Sequence, residues 1–210
     1  MFAYILVILV AYLLGSISFS VIISKKMAGF DVRKKGSGNA GATNVLRSVG
    51  KKAAVLTLLC DCLKGVVAVL FAVVVGKIAS NSDKALLVQL AGIAVVVGHT
   101  FPIFFGFKGG KGVATSLGVL LVTNWQIGLI CLVFALVLMA LTKMVSMGSV
   151  GAAILFPVLV LFIKTNFIVT EGSGYLIYSI ILAVLVAFNH RSNIKRILNG
   201  TENKLNFKKA

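Results

Sequence analysis

The stretch VATSLGVLLVTNWQIGLICLVFALVLMALT, residues 113–142, decides how this chain folds, because it can form either one long helix or two short ones. One straight α-helix of this length would extend roughly 45 Å, against a hydrocarbon core of about 30 Å. Asn124, Trp125 and Gln126 lie in its middle, and a tryptophan beside polar side chains is typical of a membrane interface. The stretch therefore predicts two short spans joined by a turn.

Five further apolar runs reach or approach the length of about 20 residues that a membrane-spanning helix needs. Hydrophobic residues make up 59% of the 210-residue chain and charged residues only 12%, with a mean hydropathy of +1.06, so the chain is too apolar for a soluble domain. We expect an all-α, polytopic membrane bundle with seven transmembrane helices, formed by residues 1–210 as a single domain. The five runs are residues 2–23, 53–75, 85–105, 145–163 and 175–188.

The basic residues predict the orientation of the bundle, because lysine and arginine collect in cytoplasmic loops. With seven spans and the N-terminus outside, seventeen of the 21 basic residues face the cytoplasm, including those of the C-terminal tail. Lys77, Lys84 and Lys164 then lie outside, and Lys64 lies within a span. Six spans would place the basic tail outside, so the charge distribution favours seven.

Most of the polar sequence falls in three stretches, all on the predicted cytoplasmic side. This one-sided arrangement predicts a single site at that face. The stretches are GSGNAGATNVLR (residues 36–47), GHTFPIFFGFKGGKGVAT (98–115) and NHRSNIKR (189–196).

The first stretch has the G-x-G-x-x-G spacing of a dinucleotide-binding turn, but it lacks the preceding strand that such a site requires. Its glycines can still turn backbone amides toward an anion, and Arg47 can hold a phosphate through two parallel hydrogen bonds. A flexible surface turn is the alternative interpretation. The candidate phosphate-binding residues are Gly36, Ser37, Gly38, Asn39, Gly41, Thr43, Asn44 and Arg47.

The second stretch contains FKGGKG, which departs from a nucleotide-binding P-loop because Gly112 stands where a magnesium-binding serine or threonine would be. Lys108 and Lys111, with Gly109 and Gly110 between them, could neutralise phosphate oxygens. The two lysines could equally serve only to fix the membrane orientation.

The third stretch begins near His190, a candidate general base, with Asn193 as a further candidate for the site. His99, near the end of a span, is expected to support the site. Asp61 and Lys64 are three residues apart on one helix, so they can pair, and unpaired charge in lipid would cost at least about 2.5 kcal/mol per residue. Two serines at the cytoplasmic start of a span could cap that helix or donate to a ligand: Ser146 and Ser149.

The five acidic residues are scattered, so the sequence predicts no metal site, no cofactor and no pair of catalytic carboxylates. The chain presents cations and donors and should bind an anion. A transporter or channel for an organic phosphate is an alternative to an enzyme, although its site would normally lie near the membrane midplane. A nucleic-acid-binding anchor is not favoured, since the loops lack stacking aromatics among their basic residues.

The three motifs, in order and over almost the whole chain, resemble those of the bacterial acyl-phosphate-dependent glycerol-3-phosphate acyltransferases. The matching patterns are SGN-x-GATN-x-x-R, GH-x-x-P-x-F-x-x-FKGGKGVAT and HR-x-NI-x-R, with D-x-x-KG at Asp61 to Gly65. The resemblance implies acyl transfer from acyl phosphate to the sn-1 hydroxyl of glycerol 3-phosphate, giving lysophosphatidic acid and inorganic phosphate as the first step of phospholipid synthesis. It also implies a multi-pass protein of the bacterial inner membrane, with its site facing the cytoplasm and its acyl phosphate supplied by a soluble or peripheral enzyme.

The resemblance implies Ser37, Arg47, Lys111 and His190 as catalytic residues. We expect a direct attack of the glycerol 3-phosphate hydroxyl on the acyl carbonyl, with Ser37 and loop amides stabilising the oxyanion. Lys111 and Arg47 would hold the departing phosphate. Either His190 or a substrate phosphate oxygen would accept the proton.

Overall fold

The computed structural model describes residues 1–79, 82–163 and 173–205 of the chain. Within these residues the fold is entirely helical, with short 3-10 turns at Val32–Lys34 and Ile103–Phe105. Lys164, Lys208 and Lys209, whose charges entered the predicted orientation, lie outside the described residues, as does the acidic residue Glu171. The α-helices are α1 Phe2–Gly15, α2 Phe19–Ala28, α3 Ala42–Ser48, α4 Lys51–Ile78, α5 Lys84–Thr100, α6 Val113–Thr123, α7 Trp125–Thr142, α8 Val145–Phe162, α9 Ser173–Asn189 and α10 Arg191–Leu198.

The predicted turn in residues 113–142 is confirmed at Asn124. This residue is not helical, with φ −157° and ψ 85°, and its side chain accepts a hydrogen bond of 3.1 Å from the backbone N–H of Ile127. Asparagine is a favoured N-cap because its side-chain oxygen satisfies an amide that the new helix leaves without a partner. Trp125 is therefore the first residue of α7, where it is 45% exposed.

The helix lengths agree only in part with seven full spans. Five segments are long and apolar enough to cross a membrane, or six if α9 and α10, which meet at 65°, form one bent span. Helix α6 has 11 residues, or roughly 17 Å of rise, which is only about half of the hydrocarbon thickness. The five segments are Phe2–Ala28, Lys51–Ile78, Lys84–Phe105, Trp125–Thr142 and Val145–Phe162.

The single helix predicted over residues 2–23 is broken between α1 and α2. Buried Lys64 of α4 donates hydrogen bonds to the carbonyl oxygens of Gly15 at 3.0 Å and Ile17 at 2.9 Å, so it supplies partners that the helix end lacks. The high mean hydropathy of the run gave no indication of this break, although Gly15, Ser16 and Ser18 interrupt its apolar residues at this point.

Glycines allow two helix pairs to pack with their backbones almost in contact. A Cβ added to Gly15 of α1 would lie 2.2 Å from the carbonyl oxygen of Val95 on α5, and one added to Gly118 of α6 would lie 2.0 Å from that of Cys62 on α4. Small residues at such crossings are typical of membrane helix packing, because lipid offers no hydrophobic drive to associate.

The polar segments meet at one end of the bundle, which we call the polar end: residues 31–50, 101–112, 143–146 and 190–205. Leu205 N donates to Lys143 O at 2.7 Å, so the tail lies at this end. The N-terminal part of α1 lies at the other end, where the hydroxyl of Tyr4 accepts a hydrogen bond from Asp83 N at 2.8 Å.

Candidate functional site

The first two motifs are joined by backbone contacts at the polar end. Ala40 N donates to Gly109 O at 3.4 Å. Arg33 also reaches across, because its Nη1 donates to Phe105 O at 2.6 Å and to Lys108 O at 3.1 Å. The two loops therefore form one structure rather than two independent turns.

Arg33 is a residue that the sequence argument missed. Its guanidinium holds Asp31 through several hydrogen bonds, the shortest being 2.7 Å, and the hydrogen bonds from Arg33 lower the pKa of the Asp31 carboxyl. The sequence offered one signal for this pair, since Asp31 lies two residues before Arg33 in DVRKK. Residues 25–35 contain five basic residues, however, and the sequence did not distinguish Arg33 from the other four.

Asn44 is the centre of the hydrogen bonds within the first loop. Its side chain is buried, accepts from Ser37 N at 2.9 Å, and donates to the carbonyl oxygens of Val32, Lys35 and Asn39 at 2.9 to 3.1 Å. These bonds use the side-chain amide to shape the loop.

The other predicted residues of the first loop surround this asparagine. Gly36 and Gly38 have positive φ angles of 55° and 72°, which favour glycine. Gly41 precedes α3 and Thr43 lies in its first turn. Ser37 is exposed, and so is Arg47, whose Nη2 donates to Asn203 O in the tail at 3.4 Å.

In the second loop, Gly109 and Gly110 pack directly against the end of α5. Gly109 N donates to Thr100 O at 3.1 Å and Gly110 N donates to His99 O at 3.0 Å. A Cβ on Gly109 would lie 2.0 Å from His99 O, so only glycine fits there without a shift. Lys108 is exposed beside this pair.

Lys111 joins the second motif to the third, because its ammonium group donates to the side-chain oxygen of Asn193. Burial lowers the pKa of Lys111 to about 8, Glu202 opposes this shift, and the charges of Arg196 and Arg47 add to it. These influences place residues from all three motifs within electrostatic reach of one ammonium group. The predicted gathering of Arg47, Lys111 and Asn193 at one end is thus present.

Glu202 is the second residue that the sequence argument missed, since it was counted only as a scattered acid. It is 8% exposed and accepts hydrogen bonds from Ser146 Oγ at 2.8 Å, Asn193 Nδ2 at 2.7 Å and Arg196 Nε at 2.8 Å. Burial raises the pKa of Glu202, but these three donors outweigh burial and the pKa is lowered. The Glu202 carboxylate thus holds the side chain of Asn193, which accepts a hydrogen bond from Lys111.

His190 directly follows α9 and is buried against it. Its Nδ1 lies 2.8 Å from the carbonyl oxygen of Val186, which can only accept, so Nδ1 carries a proton and Nε2 is left as the acceptor. Burial and the charge of Lys111 lower the pKa of His190 to about 4, so the ring is neutral at pH 7. Nearby, Asn189 Nδ2 donates to Thr100 Oγ1 at 3.1 Å and to Lys111 O at 3.4 Å.

The predicted pairing of Asp61 with Lys64 is confirmed, with 2.9 Å between Nζ and Oδ1. The structure adds His99, whose Nδ1 lies 3.5 Å from the same oxygen. All three side chains are at least 93% buried, and they form a charged cluster in the interior next to the second loop.

The two serines at the start of α8 do not cap it. Ser146 donates to Glu202, and Ser149 Oγ donates to Val145 O, one turn back along the same helix, at 2.9 Å. The N-cap is Met144, which makes no side-chain cap bond. Ser146 therefore supports the site through Glu202, whereas Ser149 is satisfied within its own helix.

The arrangement can bind and hold phosphate. Lys111, Arg47 and Arg196 lie close enough to influence one another, and Lys108 is exposed on the same loop as Lys111. A neutral imidazole stands beside them with an acceptor nitrogen. Such a site neutralises anionic oxygens and can orient a hydroxyl group.

The chain is similar to known proteins over almost its whole length. The family model described as glycerol-3-phosphate acyltransferase matches residues 5–200. A protein of Clostridioides difficile (strain 630) with that name is 48% identical over 99% of this chain and 98% of its own length. Its counterpart in Neisseria meningitidis is 46% identical over 95% of this chain and 96% of its own length.

Two solved structures share the fold. One is PlsY (YgiH), an integral membrane glycerol 3-phosphate acyltransferase, in its glycerol 3-phosphate form, with a TM-score of 0.85 and 37% identity over 97% of this chain and 96% of that chain. The other is the lysophosphatidic acid form, with a TM-score of 0.81 and 36% identity over 97% of this chain and 95% of that chain. The helical arrangement is therefore that of a multi-span integral membrane protein.

Proposed function

Because this chain belongs to the glycerol-3-phosphate acyltransferase family, we propose that it transfers a fatty acyl group from acyl phosphate to the sn-1 hydroxyl of glycerol 3-phosphate. The products are 1-acyl-glycerol 3-phosphate and inorganic phosphate. The observation that carries the choice of donor is the set of cations around Lys111, drawn from all three motifs. A site for two phosphate-bearing substrates needs several cations, since each phosphate carries between one and two negative charges near neutral pH.

In the proposed reaction, the primary hydroxyl of glycerol 3-phosphate attacks the acyl carbonyl, the new ester C–O bond forms and the C–O bond to phosphate breaks. Lys111 and Arg47 hold the departing phosphate, which leaves with the electron pair of the broken bond. Ser37 and the amides of the glycine loops stabilise the oxyanion. The glycine, asparagine and threonine residues of the first loop that surround Ser37 complete the phosphate-binding surface.

The hydroxyl proton ends on the released phosphate, so the overall reaction balances without a base on the protein. With a pKa of about 4, His190 is a weak base at pH 7, and its Nε2 is better suited to accept a hydrogen bond from the hydroxyl and orient it. We expect His190→Ala to raise KM for glycerol 3-phosphate while kcat falls less than about tenfold. A kcat loss of about 10² to 10⁴ would instead identify a general base.

The donor is tested with purified protein in bicelles, incubated with glycerol 3-phosphate and either palmitoyl phosphate or palmitoyl-CoA. We expect equimolar lysophosphatidic acid and phosphate from palmitoyl phosphate and no product from the thioester. Separation of the 1-acyl and 2-acyl isomers reports the position of transfer. Lys111→Ala should sharply lower turnover, whereas the matched variant Lys108→Ala should retain more of it, because Lys108 is exposed while Lys111 is the lysine that reaches Asn193. Turnover with palmitoyl-CoA alone would overturn the proposed donor.

We also propose that the polar end faces the cytoplasm of a bacterial inner membrane, with the N-terminus outside and seven crossings. The excess of lysine and arginine at the polar end supports this orientation. The short α6 would cross together with its flanking loops, since a helix shorter than the hydrocarbon is accommodated by its surroundings. The acyl chain would lie against the apolar surface of the helices that faces the lipid. A soluble or peripheral enzyme would deliver the acyl phosphate from the cytoplasm.

The orientation is tested by labelling single cysteines with a membrane-impermeant maleimide, after replacement of Cys60, Cys62 and Cys131. In intact spheroplasts, Lys77→Cys should react and Lys25→Cys should react only after lysis. The reverse pattern would contradict the orientation.

A further inference from the structure

His99 lies between the charged cluster inside the bundle and the backbone of the second loop. Its Nδ1 is 3.5 Å from the Asp61 carboxylate. On the other side of the ring, a Cβ added to Gly110 would lie only 2.1 Å from Nε2. The imidazole therefore fills the space directly against Gly110, the residue that precedes Lys111.

The carboxylate that faces His99 is itself fixed in place. Asp61 pairs with Lys64 at 2.9 Å, and Lys64 is held by the two carbonyl oxygens at the break between α1 and α2. Because Nδ1 faces a carboxylate, it carries the proton, and Nε2 is the nitrogen turned toward the loop. Asp61 is therefore a buried carboxylate between two partners, Lys64 and His99, and it has little freedom to move.

The first motif also approaches Gly110 closely. The same added Cβ would lie 2.6 Å from Ala40 O, so the imidazole and that carbonyl together fill the space that a side chain at position 110 would need. The next residue is Lys111, whose own carbonyl accepts from Asn189 and whose ammonium reaches Asn193. The position of the ring thus sets where the Lys111 backbone begins.

We propose that His99, held by Asp61, is a positioning residue for Lys111: it supports the Gly110 backbone from inside the membrane and so places the ammonium group in the site. This role rests on the proposed part of Lys111 in holding phosphate. His99 touches no reacting atom, and it acts on the reaction only through the loop.

A double-mutant cycle separates positioning from general support of the fold. His99→Ala and His99→Gln are made in the wild-type and in the Lys111→Ala background, and kcat/KM is measured in bicelles. We expect each His99 change to lower kcat/KM at least tenfold in the wild-type background and less than twofold in the Lys111→Ala background. Equal fold losses in both backgrounds would show that His99 does not act through Lys111, and would overturn the proposal.

If Lys111→Ala leaves no measurable rate, the pH profile of the His99 variants decides. A displaced Lys111 becomes more hydrated, so the loss of kcat/KM at alkaline pH should move to higher pH. If kcat/KM of the His99 variants falls at the same alkaline pH as in the wild-type protein, the proposal is overturned. So would failure of both His99 variants to fold, judged by gel filtration and thermal unfolding in detergent, because His99 would then be required for helix assembly.

Gln89→Ala provides the matched control, since Gln89 is a buried polar residue on the same helix, ten residues nearer the opposite end. It should change kcat/KM less than twofold, and a loss equal to that of the His99 variants would contradict the proposal. The cycle uses whichever acyl donor the wild-type protein turns over. A donor other than acyl phosphate would therefore overturn the proposed function while leaving the test of His99 readable.

Discussion

The rate of acyl transfer should fall at alkaline pH because Lys111 loses its charge there. With a pKa of about 8, the ammonium group is about 90% protonated at pH 7 and about 10% protonated at pH 9. If only the protonated form holds the departing phosphate, kcat/KM decreases by about tenfold across this interval. The phosphates of the proposed substrates would not cause this loss, since their second pKa of about 6 leaves them ionised throughout this interval.

The assay measures kcat/KM against pH from 6 to 10, because this parameter reports the ionisation of the free enzyme. Lys111→Arg should remove the alkaline loss, since guanidinium stays charged over the whole range, even if the absolute rate is lower. Lys108→Arg makes the same change at an exposed neighbour and should leave the profile as in the wild-type protein. Constant activity to pH 10 in the wild-type protein, or an unchanged loss in Lys111→Arg, would refute this account.

Three further predictions follow from contacts within the fold. Asp61→Asn leaves the ammonium of Lys64 buried without its counter-ion and should lower the unfolding free energy by about 3 to 5 kcal/mol, measured by denaturation in detergent; an unchanged stability would contradict the pairing. Gly110→Ala should reduce kcat/KM more than tenfold, because its Cβ would overlap His99, and near-normal kinetics would show that the loop can shift. Asn124→Ala removes the N-cap of α7 and should cost about 1 kcal/mol of stability with little change in kcat, whereas a loss of turnover would point to a role in the reaction.

Residue hydropathy was enough to predict most helices, because each span must bury its own apolar surface in lipid. The turn at Asn124 was also predictable, since polar residues interrupt a run that is too long to cross once. The break after Gly15 was not, because the carbonyls it exposes are satisfied by Lys64, which comes 49 residues later in the chain. Local sequence carries no information about a partner so distant.

The same limit explains which site residues escaped notice. The motifs showed where Arg47, Lys111 and His190 would lie, since short polar stretches between spans must meet at a membrane face. Glu202 and Arg33 act through tertiary contacts, and burial of a carboxylate is a property of the folded tail. Glu202 did carry a weak signal, as a single acid within a strongly basic segment.

The polar end has a surplus of positive charge that its own carboxylates do not remove. Among the described residues of this end, the two carboxylates are those of Asp31 and Glu202, and each accepts hydrogen bonds from an arginine side chain at 2.7 or 2.8 Å. These two carboxylates hold Arg33, Arg196 and Asn193 in place. The pKa of Lys111 is lowered, which means that its surroundings disfavour the charged form of the ammonium group. A bound phosphate would reverse that setting by placing negative charge beside the ammonium group. The site thus holds its cation at a cost, and the two phosphate-bearing substrates that we propose would supply the charge that relieves it.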